Sequence, residues 1–434
     1  MSTEPVTAVI VGNGHRADLY ASYSLKHPDE LRIVGVADPD EFRRQSARRK
    51  FGFPAENCFP SAEELARRGK FADAAINGTM DQDHVPTSLP VLRAGYDMLL
   101  EKPFAVGEEE MWELVRCARE GSRRVMICHV LRYAPFYAAI RKRVAAGEIG
   151  ELINGQFTEH VSYHHVGVGY VRGKWRRADQ CGCGMLMAKS CHDLDLIAWM
   201  KSGVRPVRVA SYGSNFQFRP EKAPEGAGTK CLVDCPVEAD CLYSARKHYL
   251  DHPKRWAFYV WADLEQLENP TMEQKEEFLK GDTIWGRCAF KCDNDVVDHQ
   301  SVVVDFQDGS TATLNMIGGC SKAERSVHLV GTRGEIQGSI GDERFVVRHV
   351  QTRPGGPEYD EETVDLNAEG DATGAFGGHG GGDMRLVADF VRFMRGQPRS
   401  ISCTEIDDSI AGHLMGFCAE RAREEGAGVP VVWR

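Results

Sequence analysis

At 434 residues the chain is long enough for two or three domains of ordinary size, which excludes a mini-protein stapled by disulfides. Its 53 lysines and arginines against 63 acidic residues leave a formal charge of −10 with no basic block to track a phosphate backbone, so no nucleic-acid partner is expected. No apolar run approaches the roughly 20 residues that cross a bilayer, so no membrane association is expected either. The first residues lack the features of a signal peptide, and fourteen cysteines are too few for a disulfide scaffold. A cytoplasmic protein whose cysteines are thiols or metal ligands is expected.

From Val6 to about Cys128, short β-branched runs (VTAVIV, LRIVGVA, FADAAIN, YDMLL, RVMIC) alternate with amphipathic segments, the rhythm of a parallel sheet with crossover helices. Ser61 and Glu64 predict a capping box for the segment SAEELARRG, and Gly95 predicts the end of the helix that precedes it. Residues 1–130 are therefore assigned to an α/β Rossmann domain. Residues 131–434 read as an α+β domain with an open, largely antiparallel sheet, its plainest hairpin being QSVVVDF and STATLNMI across Asp308-Gly309. Two stretches read as irregular: a Cys-bearing insertion at about 215–285, and a Gly-rich, acidic loop from Thr352 to Gly382 that contains His379, a further site candidate. A helix near 405–425 and a short strand VPVVW close the chain.

The first strand runs into Gly12-Asn13-Gly14-His15-Arg16-Ala17, a GxGxxA pattern. Glycine at the first position permits a tight turn, at the second it lets backbone approach a pyrophosphate, and a small Ala17 lets the helix pack closely. The helix N-terminus then faces the phosphates. Asp38, at the end of the second strand, is placed to accept hydrogen bonds from ribose hydroxyls and would repel a 2′-phosphate, which favours NAD(H) over NADP. Arg43 and Arg44 follow closely and read as solvated surface.

Leu100-Glu101-Lys102-Pro103-Phe104-Ala105 resembles the EKP signature of the Gfo/Idh/MocA oxidoreductases, the glucose-fructose oxidoreductase and inositol dehydrogenase family. Asn77-Gly78-Thr79-Met80-Asp81-Gln82-Asp83-His84 resembles the family's nicotinamide-side loop, with Met80 where proline is usual. His129 to Pro135 and Gly147-Glu148-Ile149-Gly150 resemble the passage between its domains. The resemblance implies a Rossmann domain followed by an α+β domain, a homodimer or homotetramer, and hydride transfer at a sugar or polyol carbon. It places Thr79, His84 and Glu101 at the coenzyme, and Lys102 at both coenzyme and reacting hydroxyl. Ala188-Lys189-Ser190-Cys191-His192-Asp193-Leu194-Asp195 stands where the family has DxGxHxxD. His192 matches the histidine, and an imidazole suits the proton transfer that alcohol oxidation requires. Asp195 matches the final aspartate and is grouped with the substrate residues. Ala188 replaces the aspartate that orients the histidine; Asp193 or Lys189 are the available substitutes.

On the substrate side, Tyr163, His164, Arg172 and Trp175 combine rings and donors that suit a polyhydroxylated or acidic ligand. Asp293 to Asp295, Asp298 and His299 could add polar groups. Cys231, Cys235 and Cys241, followed by Cys288 and Cys292, could hold a structural zinc within the insertion. The expected activity is NAD-dependent dehydrogenation of a carbohydrate. The alternatives are a redox-neutral, glycoside-cleaving enzyme with tightly bound NAD, and a catalytically silent sugar sensor.

Overall fold

The computed structural model describes residues 4–267, 269–366 and 381–434. The β-branched runs of the first half become parallel strands β1 (Val6–Val11), β2 (Leu31–Ala37), β3 (Cys58–Phe59), β4 (Ala74–Asn77), β5 (Asp97–Leu100) and β6 (Val125–Ile127). They lie side by side in the order β3-β2-β1-β4-β5-β6. A parallel sheet is covered on both faces, and β1 shows how: Val9 and Val11 enter one core with Leu89 and Met111, whereas Ala8 and Ile10 enter another with Tyr20 and Ile33. The order reverses at β1 and β4, so the strand ends open a crevice there, as doubly wound sheets do. Ser61 caps its helix, its side chain accepting from Glu64 N, whereas the Glu64 carboxylate, expected to complete a capping box, pairs with Arg67 instead.

The second half builds a nine-stranded open sheet. Its strands are β7 (Leu152–Ser162), β8 (Pro206–Ser214), β9 (His299–Phe306), β10 (Thr311–Cys320), β11 (Glu324–Gly331), β12 (Gly334–Ser339), β13 (Arg344–Val350), β14 (Tyr359–Asp365) and β15 (Val429–Pro430), in the order β14-β13-β12-β11-β7-β10-β9-β8-β15. Only β7 and β10 pair in parallel; the remaining pairs are antiparallel. Gly309, at φ 84°, makes the β9–β10 turn. Val302, Val304 and Phe306 of β9 point to a core shared with Leu194 of the Met185–Met200 helix and Leu414 of the Ile406–Glu425 helix, which cover this face.

Part of the stretch expected to be irregular, Tyr359–Asp365, is a strand paired with β13. Six of its seven residues are exposed and only Val364 is buried, so no apolar alternation marks it, and its charges suit an edge. His379 lies outside the described residues. The insertion carries short helices around a small core of its own, with Tyr249, Val260, Leu279 and Trp285 gathered about Val168. The Gly382–Met394 helix crosses back to the nucleotide half, where Leu386, Val387 and Phe390 join Tyr20 and Ile33.

Candidate active site between the two sheets

The GxGxxA turn is dictated by space. Gly12 holds φ 75°, and a Cβ there would stand 2.9 Å from the backbone of Thr79. A Cβ at Gly78 would stand 2.8 Å from the Cβ of Ala17, so the small pair lets the His15–Ala21 helix close on the end of β4. At Gly14, the N-cap of that helix, a Cβ would meet only Gly78 O at 3.6 Å; its openness serves approach from the cavity. Asp38 accepts from Asn13 N at 2.7 Å and from Asp40 N at 2.8 Å, which aims its buried carboxylate into the crevice with lone pairs to spare. Arg44 donates to the carbonyls of Asp38 and Pro39, and Arg43 to Glu265 of the insertion at 2.8 Å. Met80, where proline is usual, has φ −76° and ψ 158°, a conformation that proline shares.

Lys102 donates from Nζ to Ala188 O at 2.9 Å. The position that lacks the aspartate side chain therefore holds the lysine through its backbone, leaving two of the three ammonium donors. Burial opposes the charge on Lys102, but Cys191, Glu101 and Asp81 outweigh it and its pKa is raised. Burial pushes the Cys191 thiol itself up to about 12, so at neutral pH the carboxylates carry that effect. Burial likewise opposes ionisation of Glu101, yet Arg16 and Lys102 hold its carboxyl below the usual range. Arg16 spans Glu101 at 2.8 Å and Asp383 at 2.5 Å, so the helix returning from the far end of the chain reaches the site.

His84 faces Pro103 O through Nδ1 at 2.6 Å; a carbonyl only accepts, so Nδ1 carries a proton. Buried His84 Nε2 lacks a hydrogen-bond partner among the described residues, and a polar group of a dinucleotide in the cavity that His84 lines would satisfy it. With the glycine turn and Asp38, this residue fits such a coenzyme.

Gly12, Gly14, His15, Arg16, Asp38, Thr79, His84, Glu101, Lys102, Trp175 and His192 line one cavity of about 740 Å³. Asn13 stands behind it, bonding Asp38 and Arg43 O. Both proposed substitutes for the orienting aspartate have other partners: Asp193 pairs with Arg325 and Lys189 with Glu159. His192 instead neighbours His129, ring centroids 5.8 Å apart, and His129 Nε2 is 3.6 Å from Asp195 Oδ1. Burial, then Arg132 and Lys102, drive His129 well below the ordinary histidine range, so it is a neutral ring.

Four of the five substrate residues, and the later acidic candidates Asp293 and Asp298, do not reach the cavity. Arg172 is fully buried in the insertion's core, donating to Arg287 O, Tyr243 O and Tyr249 OH. Asp195 is bound bidentately by Arg132 at 2.6 and 2.7 Å. Tyr163 accepts from Arg255 at 2.8 Å, and His164 sits beside it, the helical turn after β7 having carried His165 inward instead. Asp293 pairs with Arg176, and Asp298 accepts from Phe216 N and Gln217 N.

The zinc expectation is also corrected. Among the described residues no three His, Cys, Asp or Glu side chains stand where they could hold a metal ion. Cys231 accepts from Arg172 at 3.4 Å, and burial raises the thiols of Cys241, Cys288 and Cys292, the last to about 11. The buried Arg172 and the aromatic core hold the insertion together.

That insertion furnishes what sequence reasoning missed. Trp256 stacks on His165 at 3.9 Å and 10°, Tyr259 lies parallel to Trp256, and Phe258 meets His15 at 5.1 Å. Trp256 has φ 64°, a conformation rare for so bulky a side chain and a mark of functional sites. With Tyr170 and Trp175 these rings wall the cavity, Phe258 reaching the glycine turn at His15. Asp81 lines it as well, accepting from Trp175 Nε1 at 3.0 Å, with burial raising its pKa. The aromatic run of Trp256 to Trp261 within a polar stretch was the available signal.

Comparison with known proteins agrees with this layout. Residues 6–129 match the profile of an oxidoreductase family's NAD-binding Rossmann fold, and residues 141–429 that of its C-terminal alpha/beta domain. YteT of Bacillus subtilis (strain 168) is 24% identical over 82% of this chain and 81% of its own. The 1,5-anhydro-D-fructose reductase of Ensifer adhaerens is 30% identical over 36% of this chain and 46% of its own, so the chain spans less than half of that relative's length. Among solved structures, the WlbA dehydrogenase from Bordetella pertussis in complex with NADH and UDP-GlcNAcA superposes with a TM-score of 0.69 at 15% identity, covering 100% of both chains.

Proposed function

Because the chain belongs to the Gfo/Idh/MocA oxidoreductases, we propose that it transfers hydride between a carbohydrate carbinol carbon and NAD. The observation that carries this reading is that Lys102, beside the nucleotide turn, and His192, from the second domain, line the same cavity. NAD, when bound, supplies the hydride acceptor. The chain's own groups handle the rest. Lys102, held by Ala188 O and kept charged by Glu101 and Asp81, donates to the reacting oxygen and stabilises the negative charge that develops there. His192 accepts the hydroxyl proton and returns it in the reverse direction. The aromatic wall limits water and offers ring faces to a sugar.

Two features support NAD over NADP. Asp38 directs its carboxylate into the crevice, and the nearby arginines are engaged, Arg44 by backbone carbonyls and Arg43 by Glu265. Support for a carbohydrate comes from the aromatic wall, and from relatives that include a 1,5-anhydro-D-fructose reductase and a dehydrogenase solved with UDP-GlcNAcA. The test is a panel of sugars and polyols with NAD and with NADP, followed by reduced-nicotinamide absorbance. NADH formation that the Lys102→Met, His192→Ala double variant abolishes is expected; unchanged activity in that variant would sink the assignment.

One observation favours a second reading. The insertion bridges onto the nucleotide half through Glu265 to Arg43 and Phe258 against His15, which would slow coenzyme exchange. Coenzyme retained through gel filtration, with substrate consumed and no net NADH, would assign redox-neutral turnover instead.

A further inference from the structure

Two cations of the substrate wall have no part in the chemistry above. Arg325 on β11 lies directly across from Glu159 on β7. Its Nε donates to Asp193 Oδ1 at 2.9 Å and is ion-paired with Glu159 as well. Lys189 stands alongside, its Nζ 3.3 Å from Glu159 Oε1. Of these four charged groups only the cations line the cavity; both carboxylates are buried behind it. The two carboxylates therefore act as a backing that fixes the guanidinium plane through Nε. The two Nη groups of Arg325 have no hydrogen-bond partner among the described residues. A rigid fork so held matches the two oxygens of a carboxylate, and the adjacent ammonium adds a point charge. Both cations are matched from behind by Glu159 and Asp193, and with His165 and Trp256 lining the cavity alongside, the open Nη face of Arg325 is what a ligand's carboxylate would meet.

We infer that the preferred substrate is a sugar acid, its carboxylate seated on Arg325 with Lys189 beside it. This rests on the carbohydrate reading above and narrows it to hexuronates and aldonates. Their carboxylate lies on the substrate-domain side while the reacting carbinol faces Lys102 and His192.

The test uses the full-length protein supplied with NAD, with calorimetric binding of D-glucuronate, D-galacturonate and D-gluconate compared with the parent neutral sugars and their phosphates. At least about tenfold tighter binding of the acids is expected, the scale of one charge-assisted bidentate contact. Removing Arg325 outright would strand two buried carboxylates, so Arg325→Lys, which keeps the charge and loses the fork, is paired with Lys189→Met. Each should cost the acids about tenfold in affinity and leave neutral sugars within about twofold. Neutral sugars or phosphates binding as well as the acids, no binding of any acid, or equal losses for acids and neutral sugars in the variants would overturn the assignment. NADH formed from neutral sugars alone would refute it and leave the dehydrogenase reading standing; acid binding without NADH from any sugar would do the reverse.

Discussion

On the coenzyme side of the cleft, nearly every lining group sits in a turn at the carboxyl end of a parallel strand: Gly12 and Gly14 after β1, Asp38 after β2, Thr79 after β4, Glu101 and Lys102 after β5. On the substrate side the lining comes from the turn after β7, the Met185–Met200 helix, β11 and the insertion. The first wall is laid down by local chain geometry and the second by long-range packing. Substitutions on the coenzyme wall should therefore act sharply and locally, whereas on the substrate wall they should alter preference among ligands.

The largest effect expected from the contrast is at Lys102. Lys102→Met should lower kcat/KM by about 100-fold or more, the cost of one preorganised donor at a developing oxyanion, with little change in overall stability. Steady-state kinetics beside a thermal melt would check it; comparable losses in the melt would mean that the lysine's bond to Ala188 O is mainly structural. Next comes Asp38→Ala, which should weaken NAD binding by about 10- to 100-fold through loss of charge-assisted bonds and of the anchor for Asn13 N. Fluorescence titration of NADH would measure this, and a fall below about twofold would break the assignment of the nucleotide wall.

Trp256→Ala tests the opposite wall. Loss of one stacking face should raise KM for the sugar about five- to tenfold while the affinity for NADH stays within about twofold. An equal loss of both would show that the insertion serves the coenzyme first. Of another kind is an acid effect on stability. Burial pushes His413 down to about 3 and drives His129 well below its ordinary value. Unfolded histidines protonate near pH 6.5 and these two are held neutral below that in the fold, so stability is lost as pH falls under about 6.5, for His413 down to about 3, by roughly 1 kcal/mol per unit. Denaturant midpoints at a series of pH values should show this slope, and His413→Gln should flatten it. The smallest effect belongs to Glu265→Gln, where loss of a half-exposed ion pair with Arg43 should speed NADH release by no more than about fivefold.

How much of this could be read from residues alone follows the same division. The glycine turn, Asp38 and the EKP turn were legible because φ limits and strand-end geometry act over a few residues, and the Asp308-Gly309 hairpin for the same reason. Strand β14 was not, because six of its seven residues are exposed and an edge needs no alternation. Arg172 was misjudged because a cation near aromatic residues looks alike in sequence whether it faces a ligand or, as here, three partners in a buried core. His164 was chosen over His165 since neighbouring residues differ only in where a turn points them. Asp81, Lys189, Arg325 and Trp256 come from four separate segments, and no spacing rule joins them.

The Gly382–Met394 helix has a bearing on how the protein is made. It supplies Leu386, Val387 and Phe390 to the core beneath β1 and sends Asp383 to Arg16. During synthesis the nucleotide half emerges first, and this core receives its last contributions only once the Gly382–Met394 helix has followed. Until then part of the apolar surface beneath β1 stays uncovered, and Arg16 at the glycine turn lacks its ion pair with Asp383.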